Sequence, residues 1–161
     1  MDKKLQKAFN DQIKNELYSA YLYLSMAAYF ESVNLPGFAH WMKVQYKEEV
    51  SHGIKIFEFL IDRGVRVILQ AIPQPPADFA SALEIFEETL KHEKKVTALI
   101  NDLLKTALEV KDAAAQIFLQ WFITEQVEEE KNAAYIIGTL RLIKPEGPAL
   151  IMLDRELAKR E

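Results

Sequence analysis

The sequence predicts an all-α protein, a four-helix bundle with one long crossover connection and a short fifth helix near its carboxyl end. Half of the 161 residues are apolar, which is enough for one compact domain with its own core over residues 1–161. Only 5 glycines and 6 prolines occur, as long helices require, because proline costs ~3 kcal/mol and glycine ~1 kcal/mol inside a helix. Four segments of about 25 to 30 residues with helical apolar periodicity lie between them.

The positions of glycine, proline and polar turn residues set the predicted helix boundaries. Breaks fall at residues 34–37, 64–77, 109–112 and 144–148. The predicted helices therefore cover residues 4–32, 37–64, 80–108, 112–140 and, for the short fifth helix, 148–159.

Each long segment carries apolar residues at alternating spacings of three and four, the pattern that packs the helices of a left-handed bundle. Polar residues interrupt this apolar stripe near the middle of every segment. Because the four helices are of similar length, the interrupting side chains are predicted to meet at one level of the bundle. They are Glu16 in the first helix, Glu49 and His52 in the second, Glu93 in the third, and Gln126 and Glu129 in the fourth.

The connections indicate the topology. The first and second helices, and likewise the third and fourth, are joined by a few residues and are predicted to be antiparallel hairpins. The connection over residues 65–79 is longer. At ~3.3 Å per residue it can span ~50 Å, whereas a 28-residue helix is ~42 Å long, so it can start the third helix parallel to the second. The alternative is an up-and-down bundle in which this connection forms an Ω-loop.

Four glutamates in an apolar interior cannot all stay ionised without partners. No lysine or arginine lies on the stripes, so either the carboxyl groups share protons or a multivalent cation binds among them. We favour the cation, because four helices each place an acid at a matching height. Carboxylates with one imidazole suit a pair of iron or manganese ions better than zinc. The fourth helix has QVEE where a symmetric site of this kind has a second Glu-x-x-His pair, so the site should be asymmetric.

Composition excludes several other functions. The absence of cysteine excludes disulfides, thiol catalysis and cysteine-held iron–sulfur clusters. A net charge of −4 with interspersed signs argues against nucleic acid as a partner. No apolar run reaches the roughly 18 residues of a membrane span and no secretory h-region is recognisable, so we expect a cytoplasmic protein without membrane contact. Off the stripes, His40, His92 and Glu130 are predicted to be surface residues, the histidines with an interface as the alternative.

Four motifs, one on each predicted long helix, have a distinctive order and spacing: NELYSAYLYLSMAAYF, YKEEVSHGIKIFEFLIDRG, ETLKHEKKVTALINDL and FLQWFITEQVEEEKN. With them the sequence resembles bacterial non-haem ferritins over nearly its whole length. The resemblance implies a ferritin-like fold and a ferroxidase that oxidises Fe(II) with O₂ or H₂O₂ at a di-iron centre inside each subunit. It also implies storage of a ferric oxyhydroxide mineral inside a 24-subunit shell.

The resemblance further implies roles for individual residues. Glu16 and His52 would bind the first iron, Glu93 and Glu129 the second, and Glu49 would bridge the two. Other positions match the surroundings of the centre or a third iron position. They are Gln126 as a hydrogen-bonding neighbour, Tyr23 and Trp121 as adjacent aromatic residues, and Glu48, Glu125, Glu128 and the shared Glu129 as third-iron ligands.

Related families fit less well. Bacterioferritins have a haem-binding methionine where this sequence has Val50, so no haem is expected. Rubrerythrins carry a cysteine-rich iron domain, and DNA-protecting miniferritins build their site between subunits and lack a helix at residues 148–159. Two other functions remain as alternatives: a stand-alone di-iron oxidase or peroxide scavenger without a mineral, and a purely structural bundle with protonated acids.

Overall fold

The structure is a computed structural model that describes residues 1–143 and 147–161. Within these ranges the chain forms the helices α1 (Lys3–Ser32), α2 (Pro36–Asp62), α3 (Ala82–Glu109), α4 (Ala113–Leu142) and α5 (Pro148–Leu157). The predicted all-α fold and the short fifth helix are confirmed, with every boundary within about two residues of its predicted position. Part of the last predicted break, residues 144–146, lies outside the described ranges. None of the described helices is both long and apolar enough to cross a membrane.

Polar side chains define where three of the long helices begin. Asp2 accepts a hydrogen bond from the Lys4 amide at 2.8 Å at the start of α1, and Asp112 accepts one from the Ala115 amide at 3.1 Å at the start of α4. At the start of α3, the Ser81 hydroxyl accepts from the Glu84 amide at 3.1 Å. Each cap satisfies a backbone N–H that the helix itself leaves free, which typically stabilises a helix by ~1 kcal/mol.

The connection over residues 63–81 runs along α1. Near its start, the Ile68 amide donates to Asn10 Oδ1 at 2.7 Å, and near its end the Pro76 carbonyl accepts from the Ser25 hydroxyl at 2.5 Å. The 15 residues from Asn10 to Ser25 correspond to about 22 Å of helix. The connection therefore crosses much of the bundle's length, as the crossover prediction requires.

The helices α2 and α3 begin at the same end of the bundle. Phe38, near the start of α2, and Phe86, near the start of α3, have ring centroids 6.0 Å apart, and both lie within 6.4 Å of the Phe30 ring at the end of α1. The two helices are therefore parallel. The crossover topology is confirmed, and the alternative with an Ω-loop is wrong.

Two apolar clusters fill the core, one toward each end of the bundle, and the polar level lies between them. On α1, Glu16 is flanked by Ile13 of one cluster and Leu22 of the other. On α4, Glu129 lies between Phe122 and Ile136 in the same way. Because this polar layer is buried between two apolar clusters, its groups need to pair with one another or with a ligand.

The short helix α5 is fixed to the start of α2 by a buried carboxylate. Asp154 Oδ1 accepts from the Gly37 amide at 2.8 Å and from the Phe38 amide at 3.0 Å. The residue before α2, Leu35, makes no capping bond, so α5 supplies the cap that α2 lacks and places a negative charge at the positive end of its dipole. A Cβ atom on Gly37 would lie 1.7 Å from the Asp154 carbonyl oxygen. Only glycine allows this approach.

We expect Gly37→Ala to push α5 away from α2 and to lower the free energy of unfolding by about 1–3 kcal/mol or more, as overpacking does. Urea unfolding followed by circular dichroism measures the change. Gly138 is the matched control, because it is also helical but exposed, and a Cβ there meets nothing within 4 Å. Gly138→Ala should leave stability unchanged or raise it by up to ~1 kcal/mol. Equal midpoints for the two variants would contradict the close approach.

Candidate metal centre

Each of the four long helices contributes one buried glutamate to the middle of the bundle. Glu16, Glu49 and Glu93 are each 1% exposed and Glu129 is 5% exposed, while His52 on α2 is 4% exposed. Ligand atoms of Glu16, Glu49 and His52 lie within 4.8 Å of one another. The structure therefore brings together three of the predicted ligands, from α1 and α2, in one group that could hold a metal ion.

Amide and hydroxyl groups tie the remaining acids to this group. Gln45 Nε2 donates to Glu129 Oε2 at 2.7 Å and to Glu49 Oε1 at 3.2 Å, so one amide holds carboxylates of α2 and α4 side by side. On the other side, Gln126 Nε2 donates to Glu93 Oε2 at 3.1 Å, and the Tyr23 hydroxyl also donates to Glu93. Side chains of all four helices thus meet at one level, as the interrupted stripes predict.

Burial makes these carboxyl groups weak acids. It raises the pKa of Glu16 and of Glu49 well above their ordinary range, and the neighbouring carboxylates add to the effect. Burial also raises the pKa of Glu93, and it raises that of Glu129 to about 8. Within the described ranges, no lysine or arginine forms an ion pair with any of the four. Without a cation the group therefore holds protons, and a divalent ion would displace them on binding.

Two buried glutamines, to which the sequence interpretation gave no role, donate hydrogen bonds to the carboxylates of Glu16 and Glu49. Gln12 Nε2 donates to Glu16 Oε1 at 2.7 Å, and Gln45 donates to Glu49 as described above. Both glutamines lie four residues before their glutamate, on the same helical face. A glutamine one turn before Glu16 and before Glu49 could therefore have indicated these hydrogen bonds from the sequence. Gln45 also lies on the apolar stripe of α2.

The residues predicted for a third iron position are only partly assembled. Glu125 joins His52 and Glu129, with ligand atoms within 4.8 Å of one another. Glu48 instead pairs with Arg160, whose Nη2 lies 2.5 Å from Glu48 Oε2. Glu128 is exposed. The structure thus places Glu125 beside the main group, while Glu48 is engaged by a cation of the chain itself.

The two predicted aromatic neighbours lie on different sides of the group. Tyr23 is fully buried, and burial together with the charge of Glu93 raises the pKa of its hydroxyl well above the ordinary range. The Trp121 ring lies edge-on to the His52 ring at 5.3 Å, is 38% exposed, and carries Lys55 Nζ over its face at 4.3 Å.

The prediction that Glu130 faces solvent needs correction, whereas the placement of His40 and His92 at the surface or at an interface stays a prediction. His92 is half-buried and has its Nε2 2.8 Å from the Ser19 hydroxyl, and burial lowers its pKa to about 4. Glu130 is half-buried and accepts from the Thr97 hydroxyl at 2.6 Å. His40 is half-buried as well. The stripe of a helix marks only the centre of its buried face, and neighbouring helices cover the positions beside it.

Comparisons with known proteins agree with this architecture. A model of the ferritin-like domain matches residues 6–143. Bacterial non-heme ferritins from Bacteroides fragilis (strain 638R) and Staphylococcus aureus (strain USA300) are 39% identical over 160 residues, which cover 99% of this chain and 99% and 96% of theirs. An open pore ferritin from the hyperthermophilic archaeon Archaeoglobus fulgidus superposes with a TM-score of 0.99 at 48% identity, covering 100% of this chain and 99% of that one. The chain therefore belongs to the ferritin family.

Proposed function

We propose that the protein is an iron-storage ferritin, a ferroxidase that oxidises Fe(II) at a di-iron centre inside each subunit and stores the product as a ferric oxyhydroxide mineral. The observation that carries this proposal is the group of four buried carboxylates and one imidazole, contributed by four helices, with no lysine or arginine paired to any of the four within the described residues. The names of the relatives, bacterial non-heme ferritin and open pore ferritin, support it.

The donor set suits iron as the substrate. Carboxylate oxygens and a neutral imidazole are hard to borderline ligands, and carboxylates stabilise Fe(III) relative to Fe(II). Two Fe(II) ions each give up one electron, and one O₂ takes up both electrons and two protons to form H₂O₂. When H₂O₂ is the oxidant, two Fe(II) ions supply two electrons, and these together with two protons reduce it to two waters. A site that holds both ions together delivers the electrons jointly to one oxidant.

We assign Glu16 and His52 to the first iron, Glu93 and Glu129 to the second, and Glu49 to the bridge. Two contacts support Glu49 as the bridge. Its Oε2 lies 3.6 Å from His52 Nδ1, and its Oε1 shares the Gln45 amide with Glu129. Gln126 would hold Glu93 in place.

We assign Tyr23 as an additional electron donor. Its hydroxyl donates to Glu93, so the carboxylate can accept the phenol proton when the ring loses an electron. No part of this proposal needs haem, and Val50 stands at the position where bacterioferritins have their haem ligand.

Self-association into a 24-subunit shell is part of the proposal. Large apolar side chains are exposed on the outer face of α1, on the crossover and near the end of α4, where a single chain in water would leave them uncovered. They include Tyr21 at 48%, Leu69 at 65%, Tyr135 at 74% and Leu142 at 89% exposed. We place the assembled particle in the cytoplasm.

The mass of the particle before and after aerobic loading with excess Fe(II) tests the proposal. From a chain of 18.5 kDa, a 24-subunit shell has a mass of about 440 kDa, and we expect it to gain far more iron than its ligand groups can bind. A particle of one or two chains holding about two irons per chain would instead indicate the stand-alone oxidase. A protein that neither binds Fe(II) nor consumes oxygen would support the structural bundle with protonated acids.

A further inference from the structure

The guanidinium of Arg160, just beyond α5, lies against α2 beside the metal centre. Its Nη2 is 2.5 Å from Glu48 Oε2, and its Nη1 donates to Gln45 Oε1 at 2.9 Å. The group also stacks over the Trp41 ring, with the guanidinium carbon 4.2 Å from the ring centroid. The side chain is 18% exposed. These contacts hold the positive charge in one place, unlike a surface arginine that moves in solvent.

The backbone around Arg160 is held as well. The Arg160 carbonyl oxygen lies 2.7 Å from His40 Nε2, and α5 itself is fixed to the start of α2 through Asp154. The segment that carries Arg160 is therefore attached to α2 at two points, through Asp154 and through the Arg160 carbonyl.

Arg160 also reaches the centre through Gln45. Because the guanidinium binds the Gln45 oxygen, the nitrogen of the same amide must face Glu49 and Glu129, to which it donates. A chain of hydrogen bonds thus links Arg160, in the carboxyl-terminal tail (residues 158–161), to Glu49 and Glu129, two of the proposed iron ligands.

We propose that Arg160 occupies the cation position beside Glu48 and so excludes a third metal ion from each chain. The inference rests on the proposed function, because it concerns metal binding next to that centre. Glu48 already shares its negative charge with the guanidinium, through the contact at Oε2, and so attracts a metal ion less strongly. In addition, a fixed positive charge repels a divalent ion placed between Glu48, Glu125 and Glu128. The chain's own cation thereby sets how many ions the site takes.

Equilibrium dialysis of the assembled metal-free protein against Zn²⁺, a redox-inert probe, tests the inference. We expect Arg160→Gln to bind about one more ion per chain than the wild type. Any binding of this ion by the wild type should need a free Zn²⁺ concentration at least about tenfold higher, since its charge-assisted hydrogen bond to Glu48 competes with the ion. Arg155→Gln is the matched control, because Arg155 is an exposed arginine on α5, close to Arg160 in the sequence. It should bind as the wild type does.

Two further variants separate charge from packing. Arg160→Lys keeps the charge but loses the two separate nitrogens that contact Gln45 and Glu48, and we expect wild-type uptake from it. The double variant Glu48→Gln with Arg160→Gln should lose the additional ion. Unchanged Zn²⁺ uptake by a normally assembled Arg160→Gln protein would overturn the inference.

The uptake of Glu49→Ala distinguishes this failure from a failure of the proposed function. If Glu49→Ala loses ions while Arg160→Gln gains none, only the role of Arg160 is wrong. If Glu49→Ala binds as much Zn²⁺ as the wild type, the proposed centre itself is wrong, and the inference about Arg160 fails with it.

Discussion

Replacement of Glu49 by alanine is expected to abolish the proposed fast oxidation of Fe(II) and to lower its initial rate by at least about a hundredfold, because the loss of a proposed metal ligand removes several kcal/mol of stabilisation. This is the largest kinetic effect that we expect from any single substitution. Glu49 lies within 4.8 Å of the ligand atoms of Glu16 and His52, and it shares the Gln45 amide with Glu129. Its loss therefore affects both halves of the proposed centre.

Stopped-flow absorbance together with oxygen consumption measures this change. Glu58→Ala is the matched control, since Glu58 lies on the same helix and is exposed. It should retain the wild-type rate. Glu49→Gln preserves the volume of the side chain and keeps the fold testable if the alanine variant assembles poorly. A wild-type rate in both Glu49 variants would mean that the buried acids serve only the structure.

Much of this site could be predicted from the sequence because a bundle has a simple periodicity. Once the apolar stripes are aligned, a glutamate on a stripe has no solvent to face, so Glu16, Glu49, Glu93 and Glu129 indicate a shared interior position. The crossover was predictable for an equally simple reason. Its length exceeds what a hairpin needs and matches the length of a helix.

The contacts of the tail could not be predicted in this way. Arg160 lies 112 positions from Glu48 in the sequence, and nothing in the periodicity of α2 or α5 indicates how one helix docks on the other. That docking depends on Gly37 and Asp154, which the sequence presents only as a turn residue and an acid on a short helix. The half-burial of His92 was not predicted for a related reason, because its ring packs against Tyr18 and Tyr23 of a neighbouring helix, α1.

The metal-free protein is expected to lose stability as the pH rises from about 4.5 to about 8, because the raised pKa values of the four buried glutamates outweigh the opposite effect of His92, whose pKa is lowered to about 4. The pKa of Glu129 is raised from its ordinary value of 4.5 to about 8, chiefly by burial. Below pH 4.5 the carboxyl group is protonated in both the folded and the unfolded chain. Above that pH the unfolded chain releases the proton while the folded chain keeps it, so unfolding becomes easier until the pH passes the folded pKa.

For one such group, each pH unit in this window lowers the free energy of unfolding by ~1.4 kcal/mol, so Glu129 alone lowers it by roughly 4 to 5 kcal/mol. A typical domain has a free energy of unfolding of about 5–15 kcal/mol. Urea-unfolding midpoints of the metal-free protein at pH 5, 6, 7 and 8 measure the effect. Glu129→Gln removes this titrating group and should flatten the curve, whereas the exposed Glu58→Gln should not. Added Zn²⁺ should restore stability at pH 8, because the cation replaces the protons that these carboxyl groups otherwise need. A midpoint that rises from pH 5 to pH 8 without metal would show that the acids ionise freely in the folded chain.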